Sequence, residues 1–387
     1  CDQRGAWLFA PLVSATIALE DDRRGLTPVE RAATLLHGAR SLHRDLYAGR
    51  LPPDTYRGQP LEMGQYPNLF ATTLIVEGRR ARIFKSSRLG QVTVVVRNRL
   101  YLLDIGQPGD EAPVSQIIQG LQTIVELAHA QGPADDTTAP GLLTCASHVT
   151  QCRLFPELSR DASNRAALDT LRHSFVTLCL DLDDAPATYA EALHHAHAGR
   201  PANRWWHASL QLVVTGNAKA CAICNFNAYL DGNVMMRGGA EIQQRAAACV
   251  VSPSDQAIQP HPAPPIELKW SLRPESTHRA QRDLAPFLDS QQATFAIEGL
   301  GSTFFAAHKV DAIPAFVLAL QMTAVRLSAE PAKITQFLTM SRYRCMDLTT
   351  ATVTTPEVLR FVDYMQAGTV DRAEARAAMQ TAIAAQV

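Results

Sequence analysis

NRWWHASLQLVVTGNAKACAICNFNAYLDG, running from Asn203 to Gly232, is the stretch whose reading decides the fold. Two apolar runs, 208 to 214 and 220 to 226, flank Thr215, Gly216 and Asn217. Gly-Asn between β-rich runs is hairpin chemistry, so the stretch predicts two antiparallel strands that leave the sheet at Asp231 and Gly232. A turn centred on Asn217 sets residues 207 and 227 opposite each other, where cross-strand neighbours share a face about 5 Å apart. A one-residue slip turns such a side chain away. Trp205 and Trp206, adjacent on a strand, are expected to point one into the core and one outwards.

Working outward, Thr27, Pro28 and Glu30 open a capped amphipathic helix over 27 to 49, and Leu51-Pro52-Pro53 closes it. Short β-rich runs (TTLIV, ARIF, QVTVVV, RLYLLDI) recur from Ala71 to Ile105. Helical periodicity returns over 113 to 131 and 161 to 172, followed by an apolar strand from Phe175 to Leu182. The segment 252 to 265, SPSDQAIQPHPAPP, is the expected linker because prolines remove hydrogen-bond donors and break helices. Beyond it, 276 to 297, 311 to 328 and 356 to 386 read as helical, the last ending in an alanine-rich helix after Asp371. Three parts are expected: 27–251, carrying the motif; the linker 252–265; and 266–387, a partial second domain.

The chain has 387 residues, 47% of them hydrophobic, which is ample for two buried cores. Its 36 basic and 37 acidic residues leave a net charge of -1, too little field to draw in nucleic acid. No apolar run approaches the roughly 20 residues of a membrane span, and no charged region precedes an apolar stretch at the start. A cytoplasmic location is expected. The eight cysteines read as buried thiols rather than a disulfide framework. Because the chain opens on Cys1 rather than Met, a fragment or a processed product is the expectation.

The 203–232 stretch resembles the choline/carnitine acyltransferase family, which carries NRW-aromatic-D-K, a strand, a glycine turn, a second strand and then H-x-x-x-E/D-G. The similarity extends through Arg31-Ala32-Ala33, Arg57-Gly58-Gln59-Pro60-Leu61, Gln65-Tyr66, Leu69-Phe70, Gly141-Leu142-Leu143-Thr144, Asn164 and Leu180-Asp181. It continues through Gly301, Lys309, Ala319-Leu320-Gln321, Arg326 and Phe361-Val362. The resemblance implies two chloramphenicol-acetyltransferase-like α/β domains, with mixed sheets flanked by helices and the second domain incomplete. It also implies a catalytic tunnel at their interface, with coenzyme A entering opposite the acceptor. Roughly the first hundred residues and the C-terminal strands of a typical member have no counterpart; either part of the protein is missing or the second domain is cut down.

In the chemistry this resemblance implies, a histidine takes the proton of the acceptor hydroxyl as it attacks a thioester, a general-base step contributing about 10²- to 10⁴-fold. Asn227 fills that position here. An amide has no nitrogen that titrates near neutral pH, although it can orient or bind an acyl carbonyl. Asp231 keeps the motif's acidic position. The motif's Asp is His207 and its Lys is Ala208, so His207 is the candidate replacement base from the neighbouring strand, against the plainer reading of a hydrogen-bonded histidine in a structural site. The expected catalytic set is therefore His207, Asn227 and Asp231.

The family's phosphate-binding lysines fall at Ser302 and Ala306, and its carnitine-contacting Tyr and Thr at Thr335 and Leu348. Substrate contacts are thus assigned to Tyr66, Trp205, Thr335 and Ser302, and a cofactor contact to Lys309. No tightly bound cofactor and no metal are expected; the candidate ligand is a coenzyme A or phosphopantetheine thioester, the latter presented by an acyl carrier protein. Cys221 and Cys224 have a metal-like spacing, but strand residues three apart face opposite sides. His194, His195 and His197 read as a solvated helix end, and Met235-Met236 with Gly238-Gly239 as a flexible connection. Two functions follow: a divergent enzyme of acyl-thioester chemistry in a biosynthetic pathway, or a non-catalytic binding protein that keeps the fold.

Overall fold

A computed structural model describes residues 14–78, 80–132, 134–228, 230–251, 263–288, 297–338, 349–368 and 370–386. In chain order the first elements are β1 (Ser14–Ala18), α1 (Pro28–Tyr47), β2 (Thr55–Tyr56), β3 (Gln59–Pro60), β4 (Thr72–Glu77), β5 (Arg80–Lys85), β6 (Gln91–Val96) and β7 (Arg99–Asp104). There follow α2 (Val114–Gln131), α3 (His148–Leu158), α4 (Ala162–Leu171), β8 (Thr177–Asp181), α5 (Tyr189–His194), β9 (Leu210–Thr215), β10 (Ala220–Asn225) and α6 (Gly232–Ala248). The rest are β11 (Ile266–Glu267), α7 (Pro274–Leu288), α8 (Ser302–His308), α9 (Ala312–Ser328), β12 (Thr335–Leu338), β13 (Thr349–Thr352), α10 (Pro356–Gln366) and α11 (Arg372–Ala384).

The described residues of Cys1–Thr55 and Met63–Gln292 form one compact unit, and those of Tyr56–Glu62 and Ala293–Val387 another. The first unit is built on a seven-stranded mixed sheet in the order β1-β10-β9-β8-β6-β7-β11. β8 runs parallel to both β6 and β9, while the other neighbours are antiparallel. Its central strands read as almost unbroken apolar runs because both faces are covered, and alternate residues serve opposite sides. Leu210, Leu212 and Val214 face a core shared with Leu35, Leu36 and Leu42 of α1. Val213 of the same strand faces a second core with Phe155, Trp205 and Trp206.

α1 begins where the sequence signals it. The Thr27 hydroxyl accepts from the Glu30 N–H at 3.3 Å, and the Glu30 carboxylate accepts from the Thr27 N–H at 2.8 Å, a reciprocal cap. α1 packs closely on α6: a Cβ at Gly38 would stand 2.3 Å from the Ile242 carbonyl oxygen, so only glycine fits. This corrects the flexible connection expected at Met235-Met236 and Gly238-Gly239. Those residues lie in α6, where Gly238 faces Leu69 and Gly239 faces Leu19.

Two further readings change, and a third falls largely outside the described residues. Trp205 and Trp206 are both buried, at 3% and 0% exposure, in the same core, because they precede β9 in a turn closed by the Ala208 N–H on the Trp205 carbonyl and so do not alternate as strand residues. Residues 252–262 of the expected linker lie outside the described residues. Ile266 to Leu288 belongs with the first unit: β11 pairs with β7, and Ala280, Leu284 and Phe287 of α7 bury in the second core. The second unit has its own small core of Leu318, Val358, Phe361, Val362 and Ala382. There β12 and β13 pair antiparallel, with Thr335 opposite Thr352. Among the described residues no single helix is long and apolar enough to cross a membrane.

Candidate functional site

The hairpin forms with Cys224 opposite Leu210 and Ala220 opposite Val214, and Ala218 adopts φ 61° in the turn. Continued unbroken, this register would set residue 227 against residue 207. The pairing instead ends where the Asn225 N–H meets the Ser209 carbonyl at 2.9 Å. Phe226–Ala228 then winds into a 3-10 turn. On the other strand the His207 carbonyl accepts from the Leu74 N–H at 2.8 Å and the Thr73 hydroxyl at 3.0 Å. The expected cross-strand pair is therefore not made, because β4 takes up the backbone of residue 207.

The His207 side chain is buried at 3% exposure. Its Nε2 lies 2.8 Å from Gln151 Oε1. The Gln151 amide nitrogen donates to the carbonyls of Thr144 at 3.2 Å and Ala146 at 2.7 Å. This fixes the amide's orientation, so His207 Nε2 carries the proton and donates it to Oε1. Trp205 and Phe155 flank the ring with centroids at 5.7 and 5.0 Å. Burial pushes the imidazole pKa down to about 3, which keeps it neutral and weakly basic at physiological pH.

Asn203 and Arg204 are absorbed by structure. Arg204 is fully buried and holds both oxygens of the equally buried Asp181, with Nη2 at 2.7 Å from Oδ2 and Nη1 at 3.1 Å from Oδ1. Its Nε donates to the Ala196 carbonyl at 3.0 Å. Asn203 Nδ2 donates to Asp181 Oδ1 at 2.7 Å, and Asn203 Oδ1 accepts from the Asn98 N–H at 2.8 Å. His195 Nε2 reaches Asp181 Oδ2 at 2.8 Å. Burial alone would raise the Asp181 carboxyl, but the Arg204 charge and the His195 hydrogen bond hold it well below the usual carboxylate range. The expected solvated helix end holds for His194, which is exposed, but not for its neighbours: the partly buried His195 closes this cluster, and His197 Nδ1 lies 2.9 Å from the Thr16 hydroxyl. The sequence signal was available in a lone carboxylate ending the apolar run FVTLCLDL and an arginine inside NRW.

At the other end, Asp231 is the N-cap residue of α6 without a side-chain cap bond. Its N–H donates to Gln65 Oε1 at 2.6 Å, a tie the sequence reading did not single out. Next to Gln65, Tyr66 is buried at 1% exposure; its hydroxyl donates to the Asp54 carboxylate, and the Arg237 guanidinium lies 5.7 Å from its ring centroid. Arg237 also binds Asp54 at 2.7 Å. Gln65, Tyr66 and Asp231 are therefore gathered at one place, and Trp205 and His207 at another.

In the second unit Ser302 opens α8, Lys309 ends it in a left-handed conformation at φ 53°, and Thr335 opens β12; all three are exposed. Leu348 lies outside the described residues. Cys221 and Cys224 serve opposite faces of β10, and burial pushes both thiols up to about 12, leaving no thiolate at neutral pH. Among the described residues no group of three or more His, Cys, Asp or Glu is placed to hold a metal.

The family model described as Choline/Carnitine o-acyltransferase matches residues 9–387. Choline O-acetyltransferase of Mus musculus is 26% identical over 360 residues, covering 86% of this chain and 55% of that protein. The mitochondrial carnitine O-acetyltransferase of Saccharomyces cerevisiae is 28% identical over 179 residues, covering 44% of this chain and 26% of that protein. A highly reducing polyketide synthase of Alternaria alternata is 22% identical over 356 residues, 87% of this chain but 11% of the synthase. The chain spans about half the length of the choline acetyltransferases it matches. With the mixed sheet, the hairpin and its motif in place, and a family match over nearly its whole length, this chain belongs to the choline/carnitine O-acyltransferase family.

Proposed function

We propose that this protein binds an acyl thioester of the pantetheine type, presented on an acyl carrier protein, and orients it without the family's general-base step. The observation that carries the reading is the contrast at the motif. The hairpin and the Asp231 cap position, tied to Gln65, are present, while the base position is an asparagine. In this reading Asn227 holds the acyl carbonyl through its amide, and Asp231 sets the turn that presents it. His207 does not replace the base, since its ring is sealed, neutral and committed to Gln151.

A carrier-bound substrate is supported by the residues at the phosphate-binding positions, Ser302 and Ala306, which bring no positive charge to a nucleotide. The match to a segment of a highly reducing polyketide synthase supports it too, and a role in a biosynthetic pathway is part of the same reading.

Calorimetric titration with acyl-pantetheine and acyl-coenzyme A of the same acyl chain tests this. The expected result is saturable binding of both, with the nucleotide adding less than about tenfold, or about 1.4 kcal/mol. No binding of acyl-pantetheine, or a coenzyme A preference of more than about a hundredfold, would overturn the reading.

A further inference from the structure

A cavity of about 410 Å³ opens within the first unit beside the last turns of α1, and no residue of the motif hairpin lines it. It falls in the roughly 300–1,000 Å³ range of small-molecule sites. Its wall is mostly apolar, formed by Tyr47, Ala48, Leu89 and Phe175. His43 completes that wall, buried at 8% exposure and meeting Phe70 and Phe175 edge-on at 5.5 Å. Burial and the nearby Lys85 push its pKa down to about 4, so it adds no charge at neutral pH.

The polar end of the cavity is asymmetric. Arg40 and Arg44, one helical turn apart, both line it, and the one carboxylate among its lining residues is Glu111. Glu111 lies between them, 3.5 Å from Arg40 and 3.2 Å from Arg44. Arg40 is buried and pinned to the carbonyls of Ile105 and Gly106, whereas the Arg44 side chain is 53% exposed at the cavity edge. Among the lining residues two guanidinium charges face one carboxylate, a surplus of one positive charge; Asp104 acts on the buried Arg40 from outside the lining, which leaves Arg44 as the cation open to a ligand. That arrangement selects a single negative charge on an apolar body, since a guanidinium binds a carboxylate through paired hydrogen bonds.

From this charge balance and wall we infer that the cavity is a binding site for a medium-chain alkyl carboxylate, its head on Arg44 and its chain against Tyr47, Leu89 and Phe175. The site is independent of the thioester reading, and its test does not involve the motif.

Octanoate titrated into the full chain, with octan-1-ol as the uncharged control, reads the site directly. Arg44→Gln removes the surplus charge at an exposed position, and Ala48→Phe fills the cavity from an exposed helix end, so neither threatens folding. Saturable one-to-one octanoate binding, weakened at least tenfold by either substitution and at least tenfold stronger than octanol binding, is the expected result. Absence of saturable binding, equal binding of octanol, or unchanged binding in either variant would overturn the assignment.

Discussion

The two ends of the hairpin are held in very different ways. At the 203–207 end, Asn203, Arg204 and Asp181 form a sealed set of charges and hydrogen bonds, and Trp205 and Trp206 pack around it. At the 227–232 end the chain has already left the sheet and turned into α6, where the Asp231 N–H is tied to the Gln65 side chain. A buried ion pair cannot lose one partner without stranding the other, so the first end is held by the fold itself. In the function proposed above the second end carries chemistry rather than stability, so an asparagine can stand at the base position while the architecture persists.

The sharpest way to break this comparison is to strand a charge at the first end. Arg204→Met leaves Asp181 buried without its partner and is expected to cost about 3–5 kcal/mol in urea unfolding. Asn227→His at the second end strands no charge and is expected to cost less than about 1 kcal/mol. Equal effects of the two would dissolve the distinction.

The next effect is in the pH dependence of unfolding. Asp181 has a lowered folded pKa, so its contribution is present above the unfolded value near 3.9 and is lost as the pH falls below it. His207 is lowered to about 3 from an unfolded value of about 6.5, so the unfolded chain binds the extra proton across that window. Stability should therefore fall on acidification from about pH 6.5 towards 3, by up to about 1.4 kcal/mol per unit from this group. His207→Gln is expected to flatten that slope in denaturant melts taken at successive pH values. An unchanged slope would mean that His207 reaches solvent.

A smaller effect sharpens the second end. Gln65→Ala removes the acceptor of the Asp231 N–H and should cost about 1 kcal/mol, with faster amide exchange at Asp231. Unaltered exchange would show that another group holds the turn.

The hairpin, its turn and the capped α1 were legible in the sequence because each is written locally, in turn residues, alternation and a Thr-Pro-x-Glu start. The register was legible too, yet it did not place His207 beside residue 227. Whether a ladder continues depends on a third strand, and β4, distant in sequence, takes the His207 carbonyl. The Asp181 cluster was missed for the same reason: its members come from β8, from the π-turn at His195–Gly199 and from the motif itself, and only folding brings them together. The helix at Gly232–Ala248 was obscured by its paired glycines and methionines. They suggested slack, but they answer to close neighbours across the fold.

The most direct test of the account is thiol release from acyl-pantetheine in the presence of a hydroxyl acceptor, measured for the parent protein, Asn227→His and His207→Gln. The account predicts that the parent is at least about a hundredfold slower than Asn227→His, as expected when a general base is restored, and that His207→Gln leaves the parent rate unchanged. Turnover by the parent that His207→Gln abolishes would contradict it, placing the base on the buried imidazole after all.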